Sequence, residues 1–191
     1  MNSEKALPRA TVEREMQMSI KLGKIFVVLG LFLFVFGVFS VASGQGMATP
    51  QEIVAKVQEA TNTLAKAGEA SLKQFSQKDS AWVWKDSYTF VLDCSTNTMA
   101  AHPIKPELVG KDITAIKDTK GNSFFGQLCA ANKTTSGVWV EYWWQKPGEK
   151  EGSRKISYAL HAQGTPYVVA AGIYDDKITI AELQKLTNNM K

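Results

Sequence analysis

The sequence has 191 residues, of which 45% are hydrophobic and 21% are charged. These ordinary globular values exclude wholesale disorder, a collagen-like repeat and a disulfide-dense miniprotein. The length suits one domain with a targeting segment and is too short for two domains of ordinary size. The formal net charge is +4, and no basic run with interleaved aromatic residues occurs, so nucleic acid is not an expected partner.

An uncharged apolar run occupies residues 25–42, after Lys21 and Lys24 and before the small residues of ASGQG. A basic end, an apolar run and small residues, in that order, are typical of a secretory signal. The run is 18 residues long, which is also enough to span a bilayer as a helix. A cleaved signal and a retained membrane anchor both remain open. Either one exports the remainder, because the basic flank stays inside.

We therefore divide the chain into a leader, residues 1–43, and a domain, residues 44–191. The leader is long and mixes acids with bases, and a translation start at Met18 would give it a normal length. The apolar run is the only expected contact with the membrane. The expected location is the periplasm, or the periplasmic side of the inner membrane if the anchor is kept.

The first element of the domain is a helix that begins at TPQE, residues 49–52. Thr49 can cap it, Pro50 suits the first helical position, and Glu52 completes a capping box. Apolar residues then recur every three or four positions as far as Phe75. This spacing predicts one amphipathic helix of about seven turns.

The middle of the chain has the period of strands. YTFVLDC, from Tyr88, and TMAAH, ending at His102, flank the turn STN and predict a hairpin. The following segment, PIKPELVGKDITAIKDTKG, has two prolines and two glycines and predicts a long ordered loop. Asn122 can then cap a helix that extends through Asn132.

The last third predicts three strands, at about 137–146, 154–161 and 167–174, joined by the turns PGEKEGS and QGTP. A short helix over 179–190 follows, with Glu182 three residues after its capping threonine. The predicted fold class is α+β, in which a long N-terminal helix packs on an antiparallel sheet of about five strands and both faces of the sheet are covered.

No constellation for catalysis is visible in the sequence. It has two histidines and no CxxC, HExxH or GxSxG motif and no phosphate-binding glycine loop. A metal site at His102 and His161 would require carboxylate partners that the sequence does not place. We therefore expect no enzyme activity, no metal and no cofactor.

The strand VWVEYWWQKPG carries large rings on both of its faces. Strand alternation puts one set of side chains on the first face and the other set on the second; the sets are Val138, Val140, Tyr142 and Trp144, and Trp139, Glu141, Trp143 and Gln145. A strand buried on both faces explains this pattern without any ligand. Alternatively, Tyr142 and Trp144 wall a small cavity and offer hydrogen bonds, with Lys155 of the next strand as the cation and His102 beside them.

Four segments carry a family resemblance: AHP…LVGKD, WVEYWWxKPG, KISY and AGIYDD. Together they resemble the single Cache domains, which are exported sensor modules of bacterial chemoreceptors and sensor kinases. The resemblance covers about 49–186. It implies a long helix against a curved, PAS-like antiparallel sheet, with a small-ligand pocket between the sheet and the loop after His102.

The resemblance also implies a small organic anion as ligand, such as acetate, propionate, pyruvate or lactate. Lys155, His102, Tyr142 and Tyr158 are the candidates to bind its carboxylate through charge-assisted hydrogen bonds. Simple alternation puts Lys155 and Tyr158 on opposite faces of their strand, so Tyr158 belongs to this site only if a bulge intervenes. Otherwise Tyr158 is a core residue.

Two cysteines, Cys94 and Cys129, lie in the exported part, where an oxidising compartment permits a disulfide. A bridge would add roughly 4 kcal/mol on the loop-entropy model. Two separate buried thiols are the alternative.

In chemoreceptors and sensor kinases the Cache module is followed by a second membrane span and a cytoplasmic effector. This sequence ends at Lys191 after one short helix, so we expect a membrane receptor or kinase partner to report binding. The alternative is a membrane-anchored structural or interaction protein of the cell envelope, whose pocket is filled by aromatic side chains and holds no ligand.

Overall fold

The computed structural model describes residues 46–190, and the apolar run predicted at 25–42 lies outside this range. The helices are α1 (Pro50–Ala67), α2 (Leu72–Phe75), α3 (Phe125–Cys129) and α4 (Ile180–Asn189). The strands are β1 (Val83–Trp84), β2 (Ser87–Asp93), β3 (Thr98–Ala101), β4 (Val138–Gln145), β5 (Gly152–His161) and β6 (Tyr167–Tyr174). Among these helices of the described part, none combines the length and the apolar character needed to cross a bilayer.

Helix α1 begins as predicted and ends earlier than predicted. The Thr49 side chain accepts a hydrogen bond from the Glu52 amide, and the Glu52 carboxylate accepts one from the Thr49 amide at 2.8 Å. The prediction of one helix as far as Phe75 is wrong, because the chain leaves the helix at Gly68, whose φ of 58° is a left-handed value that favours glycine. A 3₁₀ turn and α2 follow, and they still deliver Phe75 to the core.

The sheet is antiparallel with strand order β1-β2-β6-β5-β4. Strand β3 pairs with β2 on the edge opposite to β6. The three predicted C-terminal strands form the meander β4-β5-β6. The described sheet has six strands rather than about five, because the two-residue strand β1 was not recognised in the sequence. The α+β class and the layering are confirmed.

Strand alternation produces two separate cores, one on each side of the sheet. We call the side that packs against α1 and α4 the helix face; Ile53, Val57 and Leu183 meet Ile156 and Val169 there. We call the other side the loop face, because the segment 102–133 covers it. Its core contains the residues Tyr88, Phe90, Leu92, Met99, Ile113, Phe124, Phe125, Leu128, Val140, Tyr142 and Trp144.

The helix predicted from Asn122 to Asn132 is wrong in its start and its length. The α-helical part is α3, only five residues long, and a 3₁₀ turn continues it to Lys133. Asn122 does not cap it, because the N-cap position is Phe124. The backbone amide of Asn122 donates to the Asp118 carboxylate at 2.7 Å, and its side-chain amide donates to the same carboxylate at 3.3 Å. That carboxylate also accepts from the Trp143 amide of β4 at 3.2 Å, so it ties the covering loop to the sheet.

Candidate ligand-binding site

The loop face brings together four of the five residues predicted for the site. Tyr142 of β4 and Lys155 of β5 are direct register partners, so their side chains share this face of the sheet. Trp144 lies two residues beyond Tyr142 on the same face, and His102 lies just past β3. All four side chains are buried.

Tyr158 lies on the helix face, away from this cluster. Its hydroxyl donates to the Ser136 carbonyl at 2.7 Å, and its ring centroid is 5.1 Å from that of Trp139. No bulge interrupts the β4–β5 pairing between Lys155 and Tyr158, so the alternation expected of an ideal strand holds. The structure therefore does not bring Tyr158 to Lys155.

Lys155 is a fully buried lysine, with 0% of its surface exposed. Within the described part of the chain, its Nζ has no hydrogen-bond partner and no ion pair. Three ring centroids surround the nitrogen: Tyr88 at 4.0 Å, Tyr174 at 5.1 Å and Phe90 at 5.5 Å. Aromatic faces attract a cation but supply none of the three acceptors that an ammonium can use.

The protonation of Lys155 is set mainly by its burial. Loss of solvation lowers its pKa from 10.5 to about 7. The negative charge of Asp86 opposes this shift, and the positive charge of Lys105 adds to it. Lys155 therefore changes charge close to neutral pH.

A glycine on β6 makes room for the lysine stem. A Cβ built on Gly172 would lie 2.8 Å from Cε of Lys155, 2.3 Å from Oγ of Ser157 and 2.8 Å from the Ile156 carbonyl oxygen. The neighbouring strand can pass this close only because residue 172 has no side chain. Gly172 lies in AGIYDD, one of the four segments that resemble Cache domains. That segment therefore leaves the space that the Lys155 side chain occupies.

His102 is held as a neutral hydrogen-bond donor. Its Nδ1 accepts hydrogen bonds from the amides of Lys105 at 3.0 Å and Ile104 at 3.3 Å, which leaves the ring proton on Nε2. Burial, together with the positive charges of Lys155 and Lys105, lowers its pKa to about 3. The ring lies 5.0 Å from that of Tyr88 and 5.8 Å from that of Phe90.

Tyr142 and Trp144 form an aromatic wall with the two phenylalanines at the start of α3. The Tyr142 ring stacks on Phe124 with centroids 3.9 Å apart and planes 11° apart. Trp144 meets Phe124 and Phe125 edge to face, at 5.6 and 6.4 Å. The Tyr142 hydroxyl shares a 2.8 Å hydrogen bond with the Ser157 hydroxyl. The polar tip of Tyr142 is thus already partnered inside the core.

Sequence reasoning missed several neighbours of the lysine. Tyr88, Phe90 and Tyr174 come from β2 and β6. Sequence reasoning also missed Phe124 of the covering loop, which stacks on Tyr142. The alternation in YTF was a usable signal, since it puts Tyr88 and Phe90 on one face. Their contact with Lys155 depends on the pairing of β2 with β6, which joins segments about eighty residues apart, and no local pattern predicts it.

A second lysine lies near the aromatic wall. Lys105 has its Nζ 4.5 Å from the Trp144 ring centroid and hydrogen-bonds the side chain of Gln145. Burial lowers its pKa, and Glu107 partly opposes that shift. The site therefore combines a buried lysine, Lys155, with a half-buried lysine, Lys105.

A disulfide fixes the covering segment to the sheet. Cys94 follows β2 and Cys129 ends α3, and their sulfur atoms are bonded, with Cα atoms 5.7 Å apart. A helix of five residues has little stability of its own. The cross-link and the packing of Phe124 and Phe125 therefore hold α3 against the loop face.

The residues 46–190 contain no cluster of three or more histidine, cysteine or acidic side chains that could hold a metal ion. The chemistry that the arrangement offers is recognition: a desolvated cation, a neutral N–H donor and aromatic walls. These features suit a small anion with an apolar body.

Comparison with known proteins identifies a family for this chain. A family model described as a Cache domain matches residues 52–179. The methyl-accepting chemotaxis protein McpP of Pseudomonas putida is 28% identical over 181 residues, which cover 86% of this chain and 33% of that protein. The sensor histidine kinase MctS of Rhizobium johnstonii is 30% identical over 94 residues, covering 49% and 20%. The chain thus spans about a third and about a fifth of these relatives.

Solved structures share the fold. One described as "Structural basis for carboxylic acid recognition by a Cache chemosensory domain" has a TM-score of 0.54 and 28% identity, covering 66% of this chain and 92% of the other. A methyl-accepting chemotaxis protein from Vibrio parahaemolyticus has a TM-score of 0.53 and 28% identity, covering 68% and 90%. A further one, described as the periplasmic sensor domain of a chemotaxis protein, has a TM-score of 0.50 and 26% identity, covering 66% and 90%.

Proposed function

The chain belongs to the Cache domain family, and we propose that residues 44–191 form an extracytoplasmic sensor domain that binds a small organic carboxylate at Lys155. Binding without chemistry is the proposed activity, and a membrane receptor or kinase is the proposed partner that reports it. The relatives support this role, since they are a chemotaxis receptor and a sensor kinase. A similar structure concerned with carboxylic acid recognition supports the ligand class.

The buried Nζ of Lys155, which has no hydrogen-bond partner among residues 46–190, is the observation that carries the proposal. The charged form would be an unpaired charge in the interior, which costs several kcal/mol, and the neutral amine would be a buried polar group without a hydrogen bond. A carboxylate at Nζ would supply the missing partner, with His102 Nε2–H as a second donor. Charge-assisted hydrogen bonds of this kind contribute about 1.5–3 kcal/mol each.

The aromatic walls limit the ligand to a small one. The rings of Tyr142, Trp144 and Phe124 pack against one another at centroid distances of 3.9–6.3 Å, which leaves little room beside Lys155. Acetate, propionate, pyruvate and lactate have about four to six heavy atoms. At a ceiling of roughly 1.5 kcal/mol per atom they reach about 6–9 kcal/mol, so their dissociation constants are at best from tens of micromolar to just below one micromolar, and a sensor tolerates such affinity.

For the location we propose export by the leader, residues 1–43, either as a cleaved signal or as an inner-membrane anchor facing the periplasm. A solved relative described as a periplasmic sensor domain supports this proposal. The disulfide between Cys94 and Cys129 fits an oxidising compartment.

A thermal-shift screen of the purified chain against acetate, propionate, pyruvate and lactate tests the ligand class. We expect at least one of them to raise the melting temperature, and Lys155→Met to abolish that rise. Lys78→Met is the matched control, because Lys78 is exposed and its replacement removes the same charge. No stabilisation by any carboxylate, in protein shown by native mass spectrometry to be ligand-free, would favour the structural protein with a filled pocket.

A further inference from the structure

Resting on the proposed function, we propose that the site takes up one proton together with its carboxylate, and that Lys155 holds this proton. The domain then responds to a carboxylate and a proton together, and not to the anion alone. In the free chain near neutral pH a fraction of the molecules carry Lys155 as the neutral amine. The bound state has Lys155 as the ammonium, with all of the ligand as the anion.

The surroundings of Nζ favour the neutral amine when no anion is present. The side chain is fully buried, and within residues 46–190 its nitrogen has no hydrogen-bond acceptor and no carboxylate within ion-pair distance. The rings of Tyr88 and Tyr174 lie 4.0 and 5.1 Å away. Their faces compensate only part of the solvation that an ammonium loses.

The groups on the strands around the lysine do not supply a compensating charge. Tyr88 on β2, Tyr142 on β4 and Tyr174 on β6 have their pKa values raised above 10 by burial, so they are neutral at physiological pH. Asp86, just before β2, is the nearby acid; its Oδ1 accepts the Ala48 amide at 2.7 Å and it makes no ion pair with Lys155.

The covering segment carries three acids, Glu107, Asp112 and Asp118, and none of them makes an ion pair with Lys155. His102 is neutral, with a pKa lowered to about 3 by burial and by the neighbouring lysines. Lys105 brings a second positive charge, which favours the amine form of Lys155. Phe124 and Phe125 of the α3 region carry no charge. An incoming carboxylate is thus the group that reverses this balance and raises the pKa of Lys155.

The linkage has a definite sign. Below about pH 7 the free chain already carries the proton, so the affinity for the anion does not depend on pH in this range. Above about pH 7 the free chain must gain a proton on binding, and the affinity falls about tenfold for each pH unit until the pKa of the bound state is reached. Short carboxylic acids have pKa values of about 4 to 5, so they are essentially fully ionised above about pH 7.

Isothermal titration of acetate into the purified chain, in buffers of different ionisation enthalpy, counts the protons. At about pH 8.5 we expect close to one proton taken up per acetate bound, and close to none at about pH 6. Lys155→Arg keeps a cation that does not lose its proton, so it should bind acetate with no uptake at either pH. Uptake that persists in Lys155→Arg would overturn Lys155 as the proton holder.

Two further outcomes separate this proposal from the proposed function. Acetate binding with the same heat in every buffer at about pH 8.5 would overturn proton uptake and leave carboxylate binding intact. If no carboxylate binds, both proposals are wrong.

If Lys155→Arg does not fold, the protonation of Lys155 can be followed in the wild-type chain through the assigned carbon-13 resonance of its Cε. This resonance should titrate near neutral pH in the free chain and at a pH well above neutral with saturating acetate. Titration unchanged by acetate would overturn the proposal.

Discussion

Lys155 and Tyr142 lie directly opposite each other on β5 and β4, and both side chains lie inside the loop face. Among residues 46–190 the amino group of Lys155 has no hydrogen-bond partner, and Tyr142 belongs to the aromatic wall beside it. Lys155 can therefore attract an anion, and Tyr142 beside it can contact the apolar body of that anion.

Gly172→Ala should displace the lysine and destabilise the chain. The added methyl would overlap Lys155 Cε and the Ile156 carbonyl, both at 2.8 Å. The side chain can shift but the backbone cannot, so we expect about 1–3 kcal/mol of lost stability and weaker carboxylate binding. Urea denaturation and acetate titration measure the two effects. Gly126→Ala in α3 is the matched control, since its Cβ meets nothing within 4 Å; equal effects of the two substitutions would contradict the close approach at Gly172.

His102 should make stability depend on pH in the mildly acidic range. Burial lowers the pKa of His102 in the folded chain from 6.5 to about 3. Its contribution to the free energy of unfolding is therefore fully present above about pH 6.5. It is lost as the pH falls towards 3, because only the unfolded chain then binds a proton at His102. The loss is about 1.4 kcal/mol per pH unit.

His102→Asn removes the titrating group and keeps an acceptor for the Lys105 amide. Urea denaturation between about pH 6.5 and pH 5, above the range where carboxylates titrate, should show a steeper pH dependence in the wild type than in this variant. Parallel curves would mean that His102 is not held neutral.

Breaking the disulfide should loosen the aromatic wall. The Cys94→Ser, Cys129→Ser double variant should lose about 4 kcal/mol of stability, because the cross-link no longer restrains the unfolded chain. Acetate affinity should fall as well, since Phe124, which directly precedes α3, packs on Tyr142. A reductant should reproduce both effects in the wild type and change nothing in the double variant. Acetate affinity equal to that of the wild type in the double variant would mean that α3 does not contribute to the binding site.

Two tyrosines distinguish the faces of the sheet. Tyr142→Phe leaves the Ser157 hydroxyl without its 2.8 Å partner and should cost about 1–3 kcal/mol, with a change in acetate affinity. Tyr158→Phe removes the hydrogen bond to the Ser136 carbonyl and should cost a comparable amount while leaving the affinity unchanged. A larger affinity loss in Tyr158→Phe than in Tyr142→Phe would place the ligand on the helix face.

The sequence predicted what depends on local patterns. The capping boxes at Thr49 and Thr179 and the meander β4-β5-β6 were visible as spacing and turn residues, and the structure has them. The sequence interpretation also placed Tyr142 and Lys155 in one site, and their pairing in the β4–β5 hairpin puts both side chains on one face of the sheet.

What the sequence did not predict depends on single backbone angles or distant pairings. The long helix was expected to continue through Gly68, since an apolar stripe does not reveal a left-handed residue. The short α3 was expected to be twice as long. The rings of Tyr88 and Phe90 reach Lys155 only through the pairing of β2 with β6, and the Phe124 stack on Tyr142 requires the covering loop to be folded.

Carboxylate binding at Lys155 can be measured by calorimetric titration of acetate into the wild type, Lys155→Met and Lys78→Met. A pH of about 6 is suitable, because Lys155 then carries its proton. Loss of one charge-assisted contact of about 1.5–3 kcal/mol predicts an affinity about 10- to 100-fold lower for Lys155→Met, with Lys78→Met equal to the wild type. Acetate binding of equal strength in the wild type and in a folded Lys155→Met would contradict the account.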